Sequence, residues 1–161
     1  MNNVYLSIGS NLGNRKKNLE NAIKLLQTNN NSILSSSPIY ETEPWGNPDQ
    51  PKFLNQVVEL TSDLEPENLL RKIHLIEEKC GRKRLGKIYS PRTLDIDILF
   101  YNSIILTTDA LKIPHPMLHR RLFVLVPMAD IAPDYRHPVL GKTISQLIKK
   151  CDDKTTVKRI S

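Results

Sequence analysis

The sequence predicts an α+β fold: an antiparallel sheet with two helices in the ferredoxin-like order β-α-β-β-α-β. Three observations lead there. Four segments alternate with the period of two expected of half-buried strands, two carry apolar residues at helical spacing, and the six come in that order. Right-handed crossovers then place both helices on one face of the sheet, with a C-terminal addition beyond the sixth element.

The first strand, 3–10 (NVYLSIGS), alternates around Val4, Leu6 and Ile8. Residues 14–29 follow with Leu19, Ala22, Ile23 and Leu26 on one helical face. The second strand, 32–43, contains Pro38, which confines it to an edge or a bulge because proline donates nothing to a ladder. Residues 53–63 (FLNQVVELTSD) form the third strand. The second helix opens with Pro66 and Glu67, residues suited to a first turn, and Gly81 is placed to end it. Its apolar stripe is Leu69, Ile73, Ile76 and Cys80. The fourth strand is 93–101 (TLDIDILFY). The last sixty residues hold a short apolar stretch at 104–106, a Pro/His-rich loop (IPHPMLHRR), the segment LFVLVPMADIAP and an amphipathic helix near 143–150.

A chain of 161 residues, 39% hydrophobic and 25% charged, has the size and composition of one globular domain, here taken as 1–161. No apolar run reaches bilayer length, and the N-terminus enters a strand pattern without a basic, then apolar leader. Cys80 and Cys151 match no zinc or redox spacing. The expectation is a reduced cytoplasmic protein with no membrane partner. The formal charge of +6 points to an anionic ligand, and the basic residues cluster at 14–17, at 81–87 and in the C-terminal KTTVKRIS, expected to be a solvated tail.

Within the fourth strand, Asp95 and Asp97 alternate with Leu94, Ile96 and Ile98, so both carboxylates share one face. Carboxylates about 6.6 Å apart at Cα can converge on a pair of metals, and all-oxygen ligation suits Mg²⁺, which keeps waters and borrows phosphate oxygens. A solvent-facing pair of acids is the alternative. Arg92 ends a connection, 81–92, with five basic residues and no acidic one, which brings guanidinium groups beside the acids. Carboxylates for a metal and arginines for the oxygens it leaves uncovered are the requirements of a polyphosphate–magnesium complex. Such a loop, with Gly81 and Gly86 as hinges, could also close over reactants and exclude water.

Glu77 borders the apolar stripe of the second helix and either bonds the sheet edge or reaches a ligand. His115 lies between Pro114 and Pro116, close to Arg120 and Arg121, in a loop those prolines keep extended. The stretch IGSNLGNR (8–15) places glycines before a helix but lacks the G-K-[ST] ending of a phosphate loop. Trp45, Phe53, Asn55 and Phe123 are dispersed, and their spacing alone does not join them.

Taken together, IGSNLGNR, YETEPWGNPDQPKFLN (40–55), IEEKCGRKR (76–84), PRTLDIDIL (91–99) and PHPMLHRRLFVLVPMADIAP (114–133) resemble the 6-hydroxymethyl-7,8-dihydropterin pyrophosphokinase family of folate biosynthesis. The resemblance implies that MgATP binds first and that its β,γ-diphosphate passes to the pterin hydroxymethyl oxygen, leaving AMP. It implies that Asp95 and Asp97 hold two Mg²⁺ delivered with ATP, and that Arg82 and Arg92 act on the phosphates. Glu77, Arg84, Ile98, His115 and Arg121 would line the nucleotide site. Thr42, Pro44, Trp45 and Asn55 would contact the pterin, its ring stacked between Phe53 and Phe123. Tyr89, Ala110, Lys112 and Pro116 depart from residues familiar in the family, which bears on ATP affinity. The resemblance also implies a monomer that binds no nucleic acid.

Two other classes share some of these signals. Nucleotidyltransferases also use glycine-serine and D-x-D signals, but close together, whereas here Ser10 and Asp95 are 95 − 10 = 85 positions apart. RNA-binding modules share the strand order but display sheet aromatics in an R/K-G-F/Y run that is absent from this sequence.

Overall fold

The computed structural model describes residues 1–81 and 92–161. Arg82, Arg84, Gly86 and Tyr89, with the rest of the basic connection before Arg92, lie outside the described residues. In chain order the elements are β1 (Asn2–Ser10), α1 (Arg15–Leu26), β2 (Asn31–Ser36), β3 (Tyr40–Thr42), β4 (Phe53–Ser62), α2 (Pro66–Lys79), β5 (Asp95–Tyr101), the two-residue strands β6 (Leu106–Thr107) and β7 (Lys112–Ile113), α3 (Leu122–Ile131), α4 (Ile144–Lys150) and β8 (Val157–Arg159).

The predicted second strand is divided by the Ser37–Ile39 break around Pro38, and both halves pair with β4. All pairings are antiparallel, and the order β5-β1-β4-β3-β8 leaves β5 at one edge. Gly81 adopts φ +88° directly after the helix C-cap and its N–H bonds the Glu78 carbonyl, a left-handed stop that a residue with Cβ resists.

One face of the sheet (Val4, Leu6, Ile8, Ile96, Ile98) buries the apolar stripes of α1 and α2. The second face (Tyr5, Val57, Leu99, Phe100) is covered by α3 and α4 through Val124, Leu125, Met128, Ile144 and Leu147. Thus α1 and α2 share a face, and α3 and α4 lie on the opposite one, completing three layers. The switch between faces within β5 has a local cause. Leu6 pairs with Ile98 and Tyr5 with Phe100, so Leu99 is an extra residue, a bulge that reverses the alternation.

The C-terminal segment is not the free tail expected from its charge. Val157–Arg159 pairs with β3, and the Ile160 N–H bonds the Ile39 carbonyl. Backbone pairing with an open edge needs no apolar side chain, which is why a charge count misses it.

Candidate active site

Asp95 and Asp97 stand on the α3 face of β5 at its N-terminal end, directly across from Gly9 and Ser7 of β1. The α3 helix covers the sheet further along, so this end opens into a cavity of about 540 Å³. Thr42, Trp45, Phe53, Asn55 and Phe123 line this cavity with the acids, as do Glu77, Ile98, His115 and Pro116. The sheet order sets Thr42, Phe53 and Asn55 on the β1 side of β5, whereas Glu77 and His115 bond its open edge. Because β5 is the edge strand, the cavity reaches around it to the α2 face.

Burial beside a second carboxylate makes ionisation costly. Asp97 is pushed from an ordinary 3.8 up to about 7, first by burial, then by the charges of Asp95 and Glu77; Arg121 and Arg92 oppose the shift. Arg92 pairs with Asp95 at 2.9 Å. Two oxygen-donor side chains whose charges repel fit a hard divalent cation. Among the described residues no third His, Cys, Asp or Glu converges with them into a closed metal cage. A magnesium ion here would complete its shell with nucleotide oxygens and water.

Glu77 is buried, and its Oε2 accepts the Ile96 N–H at 2.9 Å. It therefore satisfies the open edge of β5 while also lining the cavity. The His115 N–H donates to the Leu99 carbonyl, which docks the loop on the same edge. Its Nδ1 accepts the Met117 N–H at 3.1 Å, so the neutral ring carries its proton on Nε2. Burial, then the Arg121 charge, lowers the His115 pKa to about 4 against the opposing pull of Asp95, keeping the ring neutral near pH 7.

At the other end Asn55 and Thr42 are buried, with Asn55 Nδ2 donating to Thr42 Oγ1 at 2.6 Å. The Asn55 carbonyl oxygen fits only because residue 9 is glycine: a Cβ there would meet Oδ1 at 2.5 Å. Pro44 is not among the lining residues. Arg121, expected with the nucleotide residues, lies with its guanidinium carbon 4.8 Å from the Trp45 ring centre and 5.6 Å from that of Phe123. It therefore spans the two groups in this structure.

Ser7, Gly9, Gln50 and His74, absent from the predicted set, also line the cavity. His74 was findable, being three residues before Glu77 on one helical face. Ser7 and Gly9 were findable only with the β1–β5 register known. In the glycine-rich turn at 9–15, Asn14 Oδ1 accepts the Lys17 N–H and caps α1, while Asn18 Nδ2 donates to Ser10 Oγ and the Leu12 carbonyl.

Residues 5–133 match the sequence model of the family described as 7,8-dihydro-6-hydroxymethylpterin-pyrophosphokinase. The 2-amino-4-hydroxy-6-hydroxymethyldihydropteridine pyrophosphokinase of Porphyromonas gingivalis is 44% identical over 138 residues, 84% of this chain and 93% of the relative. The protein of that name from Bacillus subtilis is 43% identical over 133 residues, 81% of this chain and 79% of its own. The Pneumocystis carinii folic acid synthesis protein fol1 is 42% identical over 151 residues, 93% of this chain, and the chain spans only 20% of that longer protein's length. A crystal structure of Plasmodium falciparum HPPK-DHPS with pteroate superposes with a TM-score of 0.77 at 20% identity, over 92% of this chain and 42% of that one, a likeness of fold.

Proposed function

This chain belongs to the 7,8-dihydro-6-hydroxymethylpterin-pyrophosphokinase family, and from that premise we propose how its cleft divides the work. The reaction is transfer of the terminal diphosphate of ATP to the hydroxymethyl group of 6-hydroxymethyl-7,8-dihydropterin, a step of folate synthesis. The hydroxymethyl oxygen bonds to the β-phosphorus, the bond from that phosphorus to the α-phosphate oxygen breaks, AMP leaves, and the hydroxyl proton passes to solvent.

The observation that supports the assignment is that one cleft is lined by the acid pair together with Trp45, Phe53 and Phe123 and with Glu77 and His115, which bond the β5 edge. Asp95 and Asp97 would hold the two Mg²⁺ delivered with ATP, which would supply neutralising charge to the phosphate oxygens. Arg92, beside the acids, and Arg82, outside the described residues, bind oxygens that gain charge as AMP departs. Glu77, Ile98 and His115 line the nucleotide side, with His115 offering its Nε2–H as a donor; Arg121, between the two groups, and Arg84, outside the described residues, are assigned to the same ligand. Thr42, Trp45 and Asn55 hold the pterin edge, and Phe53 and Phe123 take its flat ring between them.

The strand order is read as the ferredoxin-like arrangement with C-terminal additions, in one domain of 1–161 that works as a cytoplasmic monomer. No helix among the described residues is long and apolar enough to cross a membrane. The test is product analysis with ATP, Mg²⁺ and the hydroxymethyldihydropterin. AMP that forms only with all three present supports the reading; ADP or free pyrophosphate as the product overturns it.

A further inference from the structure

The turn IGSN ends in a buried side chain that the site as described does not use. Asn11 is 2% exposed. Its N–H donates to the Arg92 carbonyl at 3.1 Å, and its Oδ1 accepts the Arg92 N–H at 2.8 Å. Its Nδ2 donates to Gln50 Oε1 and to the Pro51 carbonyl, both at 3.0 Å. One amide thus grips the backbone of Arg92 with its oxygen and the 43–52 segment with its nitrogen. Arg92 continues the chain of bonds to Asp95 at 2.9 Å.

We infer that Asn11 is a positioning residue for diphosphate transfer, clamping the Arg92 backbone to the segment that presents Trp45, so that the phosphate arm and the pterin segment keep one geometry. The inference rests on the role proposed above for Arg92. The chemistry singles out asparagine: the site needs an acceptor facing an N–H and two donors facing two carbonyl-type oxygens, at the length of one short side chain. Aspartate would lose both donors, and alanine would lose all three side-chain bonds. The loss falls on orientation, since Asn11 does not line the cavity and so does not meet substrate itself. Misplacement of a catalytic arm by about 1 Å costs ~100-fold in rate.

The test is a double-mutant cycle, with kcat and both KM values measured for the wild type, Asn11→Ala, Arg92→Ala and the double variant, and folding checked by thermal melts. Asn11→Ala is expected to lower kcat by ~10- to 100-fold while the ATP KM moves by less than about threefold. In the Arg92→Ala background the same change should cost less than about threefold, because residues acting as a unit are not additive. Equal losses in both backgrounds, or a wild-type kcat for Asn11→Ala, overturns the clamp. If Asn11→Ala does not fold, Gln50→Ala enters the same cycle, and additivity there overturns it equally. A wild-type kcat for Arg92→Ala alone overturns the underlying role of Arg92 and the clamp with it; an impaired Arg92→Ala beside an additive Asn11→Ala removes only the clamp.

Discussion

Asp97→Asn should stabilise the metal-free protein while removing its response to magnesium. The folded pKa near 7 against an ordinary 3.8 means that the folded chain holds a proton the unfolded chain has released. At about 1.4 kcal/mol per pKa unit, the ionised group costs the fold on the order of 4 kcal/mol. Asp97 keeps part of its surface open to the cleft, so solvent screening leaves about 2 kcal/mol. The sign follows from proton counting. Below about pH 4 both states are protonated and there is no penalty; between about 4 and 7 it grows as pH rises, and above 7 it is complete. In urea titrations with EDTA, the asparagine variant should match the wild type near pH 4 and exceed it by about 2 kcal/mol at pH 8, roughly a 5 °C rise in Tm. With Mg²⁺ and a non-hydrolysable ATP analogue, only the wild type should gain further stability. A variant less stable than wild type at pH 8 without metal would refute the reasoning, because Asp97 would then be a satisfied structural acid.

The same proton competes with the metal: at pH 6 apparent magnesium affinity, read by calorimetry with the nucleotide analogue, should be about tenfold weaker than at pH 8, and a flat profile would contradict a carboxylate pair as ligand. Gly9→Ala drives a methyl to 2.5 Å from Asn55 Oδ1, so the pterin KM should rise by about tenfold or more while ATP binding holds; equal losses for both substrates would mean general disruption. Arg92→Ala should lower kcat far more than it weakens nucleotide binding, since its charge acts on the departing phosphate. A pure KM effect in steady-state kinetics would demote it to a binding residue.

Much of this protein is local, and the local part was legible in the sequence. Alternation in 3–10, 53–63 and 93–101 and the stripe Leu69, Ile73, Ile76 record which face each element buries, because burial selects side chains at the period of the backbone. The D-x-D spacing put both acids on one face for the same reason. What periodicity cannot record is the identity of the surface that does the burying. The apolar LFVLVPMADI carries too little asymmetry to reveal that it is a helix across the second face of the sheet. Neither the bulge at Leu99 nor the edge pairing of Val157–Arg159 has a local signature, since each depends on a distant strand. The tertiary structure alone decided that Glu77 bonds the β5 edge and that Arg121 reaches Trp45. It also decided that Asn11 grips residues 50, 51 and 92, because a hydrogen bond across 81 positions of chain exists only once the sheet has brought its two ends together.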